Sequence, residues 1–352
     1  MIGVIELFEN VLKKPGFWTQ SGPFNDIVLS SRIRLARNVK SIPFPNYIDD
    51  GGMQIVDSLI DKFISSSIYS DKIIMVDLNS IEGHEKRILR ERNIITYEME
   101  ISRNSRVLIN NEDDFTLLIN DEDHFRIQVI KPGLQLFEAY TLADSVDDEL
   151  NKFVPYAFSE EKGYLSACPS NLGTGLRASV LLHLPVIAIK KRMSEITSAL
   201  KKNGIEIKGT VSDSQRSLGS IFQVSNRVTL GVSEIDILEK LDNEVNSILE
   251  TEDKLRDEYF SRSRNELEDM IWRSYGVLKY SRKISYVEAM EHLSNLRLGV
   301  IFALLKNINI SLINNLMVNI QWSHMQRNFG RIFRSTIEGD QTRAEYIRFN
   351  LE

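Results

Sequence analysis

Between residues 26 and 230 the chain alternates short apolar runs with Gly, Pro, Asn and Asp punctuation. DIVLSSRIRLA at 26–36, DKIIMVDL at 71–78, SRVLINN at 105–111 and FTLLIND at 115–121 read as strands. So do HFRIQVI at 124–130, IEIKGT at 205–210 and IFQVSN at 221–226. Short β-branched or alternating runs closed by turn formers predict strands. Residues 135–152 and 176–202 predict helices, the second broken at Pro185 and stopped at Asn203-Gly204. After Ser233 the strand signals fade. Ser233 with Asp236 three residues on is a capping-box start, and helical spacing follows to about residue 262. Ten acids against three bases over 233–258 read as a solvated helix face. Helical spacing continues through 266–280, 285–305 and 311–329. The pattern predicts an α+β domain over 1–250 and an all-helical domain over 251–352. Leu296, Leu298, Val300, Ile301, Phe302, Leu304 and Leu305 wrap nearly all round one helix of the second domain. That predicts burial inside the domain or against a second copy.

Composition narrows the classes. The 352 residues are 42% hydrophobic and 26% charged, ordinary for a globular chain with room for two cores. A net charge of −6 speaks against a broad nucleic-acid-binding surface. Cys168 is the single cysteine, so no intramolecular disulfide and no multi-cysteine metal site can form. The five histidines lack metal-ligand spacing. The first ten residues carry acids and lack the basic start and apolar run of a secretory signal. The longest apolar stretch, 178–189, is interrupted by His183 and Pro185 and is too short to span a bilayer. A soluble, cytoplasmic protein with no membrane contact is expected.

Three clusters carry candidate chemistry. In 26–37, Ile27, Leu29, Ile33 and Leu35 alternate with Val28, Ser30, Arg32 and Arg34. Two guanidinium groups on one strand face suit phosphate oxygens, and they also suit a solvent-facing edge that discourages pairing. In Asn120-Asp-Glu-Asp-His-Phe-Arg126, an extended chain would set Glu122, His124, Arg126 and Gln128 on one face. A carboxylate beside a phosphate-binding arginine is a candidate general base; a polar turn is the plainer reading. Cys168-Pro-Ser-Asn-Leu-Gly-Thr-Gly-Leu-Arg177 is read as a glycine-rich loop ending at a helix start. It matches neither a Walker A loop nor a dinucleotide fingerprint, and the HRD and DFG signatures of ordinary protein kinases are absent. Alone, Cys168 reads as a small buried residue.

Together, SSRIRLARN at 30–38, NDEDHFR at 120–126, CPSNLGTGLR at 168–177 and IFQVSN at 221–226 resemble the guanidino (phosphagen) kinases, over roughly residues 24–250. These enzymes transfer phosphate from ATP to guanidinium groups. The resemblance implies an antiparallel sheet flanked by helices. DIVLSSRIRLARN, GLRASV and RSYGVL look most like the bacterial protein-arginine kinases. Small-molecule members carry a helical domain ahead of the SSRxR strand. Only 29 residues precede that strand here, so such a domain is expected to be absent, and the helices after 250 are expected to serve dimerisation and regulation.

The resemblance also implies site residues. ATP would meet Ser30, Ser31, Arg32, Ile33 and Arg34, then Arg126, then Arg177, Ala178, Ser179, Val180 and Leu181, and finally Lys208, Gly209, Thr210, Val211, Ser212 and Asp213. Magnesium would be held mainly by the nucleotide phosphates, with no protein metal site. Glu122 would be the catalytic base, and Glu122, Cys168 and Asp213 would hold the substrate guanidinium. Implied partners are proteins with exposed arginine, a zinc-binding activator, a Clp ATPase/protease, a heat-shock repressor and a second copy in a homodimer. The departures are Lys208 for an arginine, Asp121 and Asp213 for glutamates, and Asn93 for a histidine. The loop Thr-Val-Ser-Asp-Ser at 210–214 also lacks the family's glycines on either side of the acid. Near the C-terminus an allosteric phosphoarginine motif, RDxxRA, is degenerate: Gly339 replaces its first arginine, while Asp340, Arg343 and Ala344 remain. Two other readings stay open, a phosphagen kinase acting on a free guanidine and a non-catalytic phosphoarginine-binding scaffold.

Overall fold

A computed structural model describes residues 2–13, 16, 19–102, 104–110, 112, 114–209 and 217–351. In chain order the elements are α1 (Ile2–Lys13), β1 (Val28–Arg37), α2 (Asp50–Ser66), β2 (Ile73–Asp77), α3 (Gly83–Glu91) and α4 (Tyr97–Ile101). Then come β3 (Arg106–Asn110), β4 (Phe115–Ile119), β5 (Phe125–Pro132), α5 (Leu136–Asn151), β6 (Phe158–Ser159) and β7 (Gly163–Tyr164). Next are β8 (Leu176–His183), α6 (Pro185–Ile189), α7 (Met193–Lys202), β9 (Ile205–Gly209), β10 (Ile221–Asn226) and α8 (Glu234–Arg262). The last five helices are α9 (Arg264–Tyr280), α10 (Tyr286–Ile301), α11 (Ile310–Asn319), α12 (Trp322–Asn328) and α13 (Thr336–Asn350).

Eight strands form one sheet in the order β2-β3-β4-β5-β1-β8-β10-β9, with every neighbouring pair antiparallel. Side chains alternate across a strand, so the sheet has two unlike faces. Ile33, Leu35, Ile127, Val129, Ala178, Val180 and Val224 point to one face and are buried. There α5 packs on β1 and β5, and α8 packs on β8 and β10. The opposite face of β5, β1, β8, β10 and β9 carries Arg126, Gln128, Arg34, Arg32, Arg177, Ser179, Ser225, Glu206 and Lys208 in register.

Residues 176–183 form strand β8, not the start of a helix. This strand lies between β1 and β10, with Ala178, Val180 and Leu182 buried on the helix-covered face and Arg177, Ser179 and Leu181 on the other, where Leu181 interrupts the polar positions. The loop from Cys168 therefore ends at a strand start. The Ser233 start holds: its hydroxyl accepts from Asp236 N, and Asp236 closes the box back onto Ser233 N. The face of α8 is mostly solvated, but Glu252 is fully buried and accepts from the backbone of Val186 and Ile187. Leu296, Leu298 and Leu305 are buried, and α10 packs between α9 and α11. Among the described residues no helix is long and apolar enough to cross a membrane.

Candidate active site

The polar face of the sheet floors a cavity of about 750 Å³. Antiparallel register explains how distant residues meet there. Arg34 on β1 pairs with Gln128 on β5 and with Arg177 on β8. One rung along, Arg32 pairs with Ser179, Ser179 with Ser225, and Ser225 with Glu206. Arg126 stands opposite Ala36 on the far side of Arg34. Guanidinium groups from three separate motifs thus share one small surface.

These cations have too few counter-charges. Burial, then Arg126 and Arg177, push Arg32 down to about 10. Burial, then Arg32, Arg126 and Arg177, hold Arg34 well below its ordinary value, opposed by Asp121. Arg34 Nε is buried with no hydrogen-bond partner among the described residues. Arg32 donates to Gln223 Oε1 at 2.9 Å. Arg177 and Lys208 share one carboxylate, Glu206. Burial works to raise the Glu206 carboxyl, but those two cations outweigh it and hold it below the usual range. Two arginines, Arg32 and Arg34, that disfavour their own charge are completed by an anion with several oxygens.

The acidic knot sits at the cavity wall. Asn120 adopts a left-handed φ of 56°, and residues 121–124 form bends ahead of β5. Glu122 and His124 therefore do not extend the strand face of Arg126 and Gln128. Glu122 remains 42% exposed and accepts from Arg126 Nη2 at 3.2 Å, so its carboxylate is available to a substrate. Asp121 holds the other side of Arg126 at 2.5 Å and accepts from Thr96 at 2.9 Å. His124 turns inward and its Nδ1 accepts from Val39 N. Burial pushes it down to about 4, so it stays neutral.

The sequence motifs gave no separate role to Asp123, yet it is fully buried and ties the knot to the cysteine loop. It accepts from Asn38 at 2.7 Å, from Ser166 at 3.0 Å and from Ala167 N at 2.8 Å. Cys168 stands one step back from the cavity, its Sγ 3.1 Å from Ser170 Oγ, while Ser170 and Asn171 line the wall. Asn93 ends α3 with a left-handed φ of 61°, a conformation asparagine tolerates, and its carbonyl accepts from Gln128.

The remaining predicted contacts divide. Ser30, Ser179 and Leu181 lie on the cavity-side face of the sheet. The side chains of Ser31, Ile33, Ala178 and Val180 point to the helix-covered face, and the Ser31 hydroxyl donates to Gly133 O. Gly209 closes β9. Thr210, Val211, Ser212 and Asp213 lie outside the described residues. Glu98, Glu206 and Arg227 also line the cavity and belong to none of the motifs that pointed to it. Arg227 directly follows IFQVSN, the one hint of its place. Among the described residues no group of three or more His, Cys, Asp or Glu could hold a metal ion.

Residues 54–255 match the model of the ATP:guanido phosphotransferase C-terminal catalytic domain. Residues 264–352 match that of the protein-arginine kinase McsB C-terminal domain. This chain belongs to the protein-arginine kinases, within the ATP:guanido phosphotransferase family. The protein-arginine kinase of Bacillus subtilis is 39% identical over 94% of this chain and 92% of its own. That of Clostridium acetobutylicum is 38% identical over 93% and 96%. Among solved structures, the duplicated taurocyamine kinase of Schistosoma mansoni matches with a TM-score of 0.61 at 23% identity. That match covers 74% of this chain and 39% of the duplicated protein. A lombricine kinase matches at 0.59 and 22%, over 71% of this chain and 78% of its own. These likenesses show a guanidino-kinase fold.

Proposed function

We propose that this chain transfers the terminal phosphoryl group of ATP to arginine side chains of proteins. The observation that carries the reading is the convergence of Arg34, Arg126 and Arg177 on one cavity, with the half-exposed Glu122 at the wall. Arg32 stands beside them on the same sheet face, and Arg32 and Arg34 lack a carboxylate partner among the described residues. The donor set fits a triphosphate: planar forks aimed from a sheet floor, one of them with an unpartnered Nε. Magnesium, when bound with the nucleotide, neutralises phosphate oxygens and needs few protein ligands. The arginines hold the phosphates and stabilise charge as it spreads over the transferring group. Glu122 orients the substrate guanidinium and takes a proton from the attacking nitrogen, since a guanidinium stays protonated to pH ~12. A nitrogen–phosphorus bond forms as the phosphorus–oxygen bond to ADP breaks. Cys168 and Asp213 are assigned to holding the same guanidinium by family resemblance.

The test is phosphoarginine mapping under non-acidic conditions after incubation with Mg-ATP and an arginine-rich protein. Wild type should transfer phosphate and Glu122→Gln should not. Signal that survives in Glu122→Gln removes the proposed base. Free arginine turned over as well as protein arginine would favour a phosphagen kinase. Nucleotide binding without transfer, even with an activator added, would favour a non-catalytic scaffold.

The family context supports finer roles. These are cytoplasmic marking of proteins for a Clp protease, inactivation of a heat-shock repressor, activation by a zinc-binding adaptor, and a homodimer. We also propose that phosphoarginine regulation through the degenerate motif is weakened. Arg343 is buried and occupied by Asp340 at 2.6 Å and by the carbonyls of Ile284 and Ile320. A Cβ at position 339 would meet the Trp322 ring at 2.3 Å, so an indole occupies the space beside Gly339. Gly339→Arg alone would collide with that ring. Combined with Trp322→Ala, it should restore a phosphoarginine response in the kinase assay; no gain in the pair would remove this reading.

A further inference from the structure

We infer that Arg227 is a phosphate-binding residue of this kinase, supplying at the cavity rim the planar two-point donation that Lys208 cannot give. The inference rests on the arginine face binding ATP. It begins with register. The β8–β10 ladder pairs Gln223 with Leu181 and Ser225 with Ser179. That ladder ends at Ser225, two residues before Arg227, while Arg177 on β8 pairs with Arg34 on β1. Arg227 directly follows β10 and lines the same cavity as Arg34 and Arg177.

The backbone there is held from both sides. Asn226 accepts from Ala178 N at 2.9 Å and donates to Leu176 O at 3.0 Å, which locks β10 onto β8 just before Arg227. Arg227 N donates to Gly204 O at 2.9 Å, which ties the same point to the turn before β9. The side chain starts from a fixed base and lines the same cavity as Arg177, Glu206 and Lys208.

Occupancy separates Arg227 from its neighbours. Arg177 and Lys208 are engaged by Glu206, and Arg126 by Asp121 and Glu122. Among the described residues the Arg227 guanidinium makes no ion pair or side-chain hydrogen bond, and it is exposed. Charge points the same way. Arg34, Arg126, Arg177, Lys208 and Arg227 line the cavity against Glu98, Asp121, Glu122 and Glu206. Without Arg227 the lining cations and carboxylates balance, and only Arg32 behind them adds positive charge. A polyanion needs the excess. Lysine is a point donor, whereas arginine presents a fork that matches two phosphate oxygens. The plainer reading is a solvated surface arginine that touches nothing.

The test uses the full chain with Mg-ATP. Arg227→Ala should weaken Mg-ATP binding about tenfold, the effect of losing a charged hydrogen-bonding partner. Arg227→Lys should recover part of that loss. The salt dependence of binding should become shallower in Arg227→Ala, a change a merely structural role would not produce. The KM for protein substrate should not move. Unchanged Mg-ATP affinity in Arg227→Ala alongside a large loss in Arg32→Gln would overturn the role of Arg227 and leave the arginine face standing. Unchanged affinity in both variants would remove the arginine face as the ATP site. A rise in protein-substrate KM alone would assign Arg227 to the substrate and overturn the inference.

Discussion

Arg34 and Arg37 lie three residues apart on β1 and point to opposite faces of the sheet, Arg37 buried and Arg34 half-buried at the cavity floor. Arg37 reaches Asp147 on α5 at 2.6 Å, donates to the carbonyls of Ala36 and Thr174, and lies 3.5 Å from the centre of the Tyr164 ring. Burial works against its charge, but Asp147 outweighs that and raises Arg37 above its ordinary value. Arg34 has arginines on three sides, with Asp121 as the opposing charge, and is lowered. Burial alone therefore does not make an arginine functional. The difference is whether the protein itself supplies the counter-charge.

A lowered arginine is not a site by itself either. Burial and Arg256 push Arg297 down to about 9 despite Asp26, yet its donors are satisfied by the carbonyls of Asp26 and Asn25 and by Asn314. It forms part of the junction between the helical region and the base of β1. Arg34 instead lines an open cavity.

Arg34→Ala should break this contrast most sharply. Transfer should fall by about 10³-fold or more, the scale of arginine contributions to phosphoryl transfer, while the melting temperature holds or rises as repulsion is relieved. Activity lost only in proportion to stability would erase the distinction. Arg37→Ala should do the reverse. It leaves Asp147 buried without its cation and should cost about 3–5 kcal/mol of stability, read from denaturant unfolding. The folded fraction at low temperature should keep most of its turnover.

At the far end of β8 from Arg177, His183 is fully buried and bonded to Ser294 at 2.7 Å. Burial, then Arg297 and Arg256, hold its pKa well below 6.5. On acidification the unfolded chain takes up this proton near pH 6.5 while the folded chain does not. Stability is therefore present above pH ~6.5 and lost as pH falls towards the folded-state pKa, by at most about 1.4 kcal/mol per pH unit. Urea midpoints between pH 5 and 8 should show a flatter profile in His183→Gln. The smallest effect belongs to Lys208→Arg. A second fork beside that of Arg227 should lower the KM for ATP by about threefold; no change would mean that position 208 contributes only a point charge, whichever cation stands there.

Much of the site was legible locally. The alternation in 26–37 placed Arg32 and Arg34 on one face, and the spacing of Ser233 and Asp236 marked the start of α8. Residues 176–183 misled, because Leu181 interrupts the polar positions of the strand and the run passes straight into the apolar residues 184–189 of a helix. Glu122 and His124 could not be placed by alternation, since the left-handed turn at Asn120 ends the period before β5. Asp123 is buried and Glu206 lines the cavity, and their partners Asn38, Ser166 and Arg177 come from other parts of the chain.

The sequence by itself determined the reacting groups, because SSRIR, NDEDHFR and CPSNLGTGLR are short motifs whose residue types follow the chemistry of a guanidinium and a triphosphate. It also determined which way most of those side chains face, since strand alternation is local. Only the tertiary structure decided which arginines are spent on architecture and which remain for a ligand. That follows from cross-strand register and helix packing, which set Asp147 under Arg37, Glu206 between Arg177 and Lys208, and no carboxylate on Arg227 among the described residues. Counter-charge is a property of neighbours in space, and local sequence does not record it.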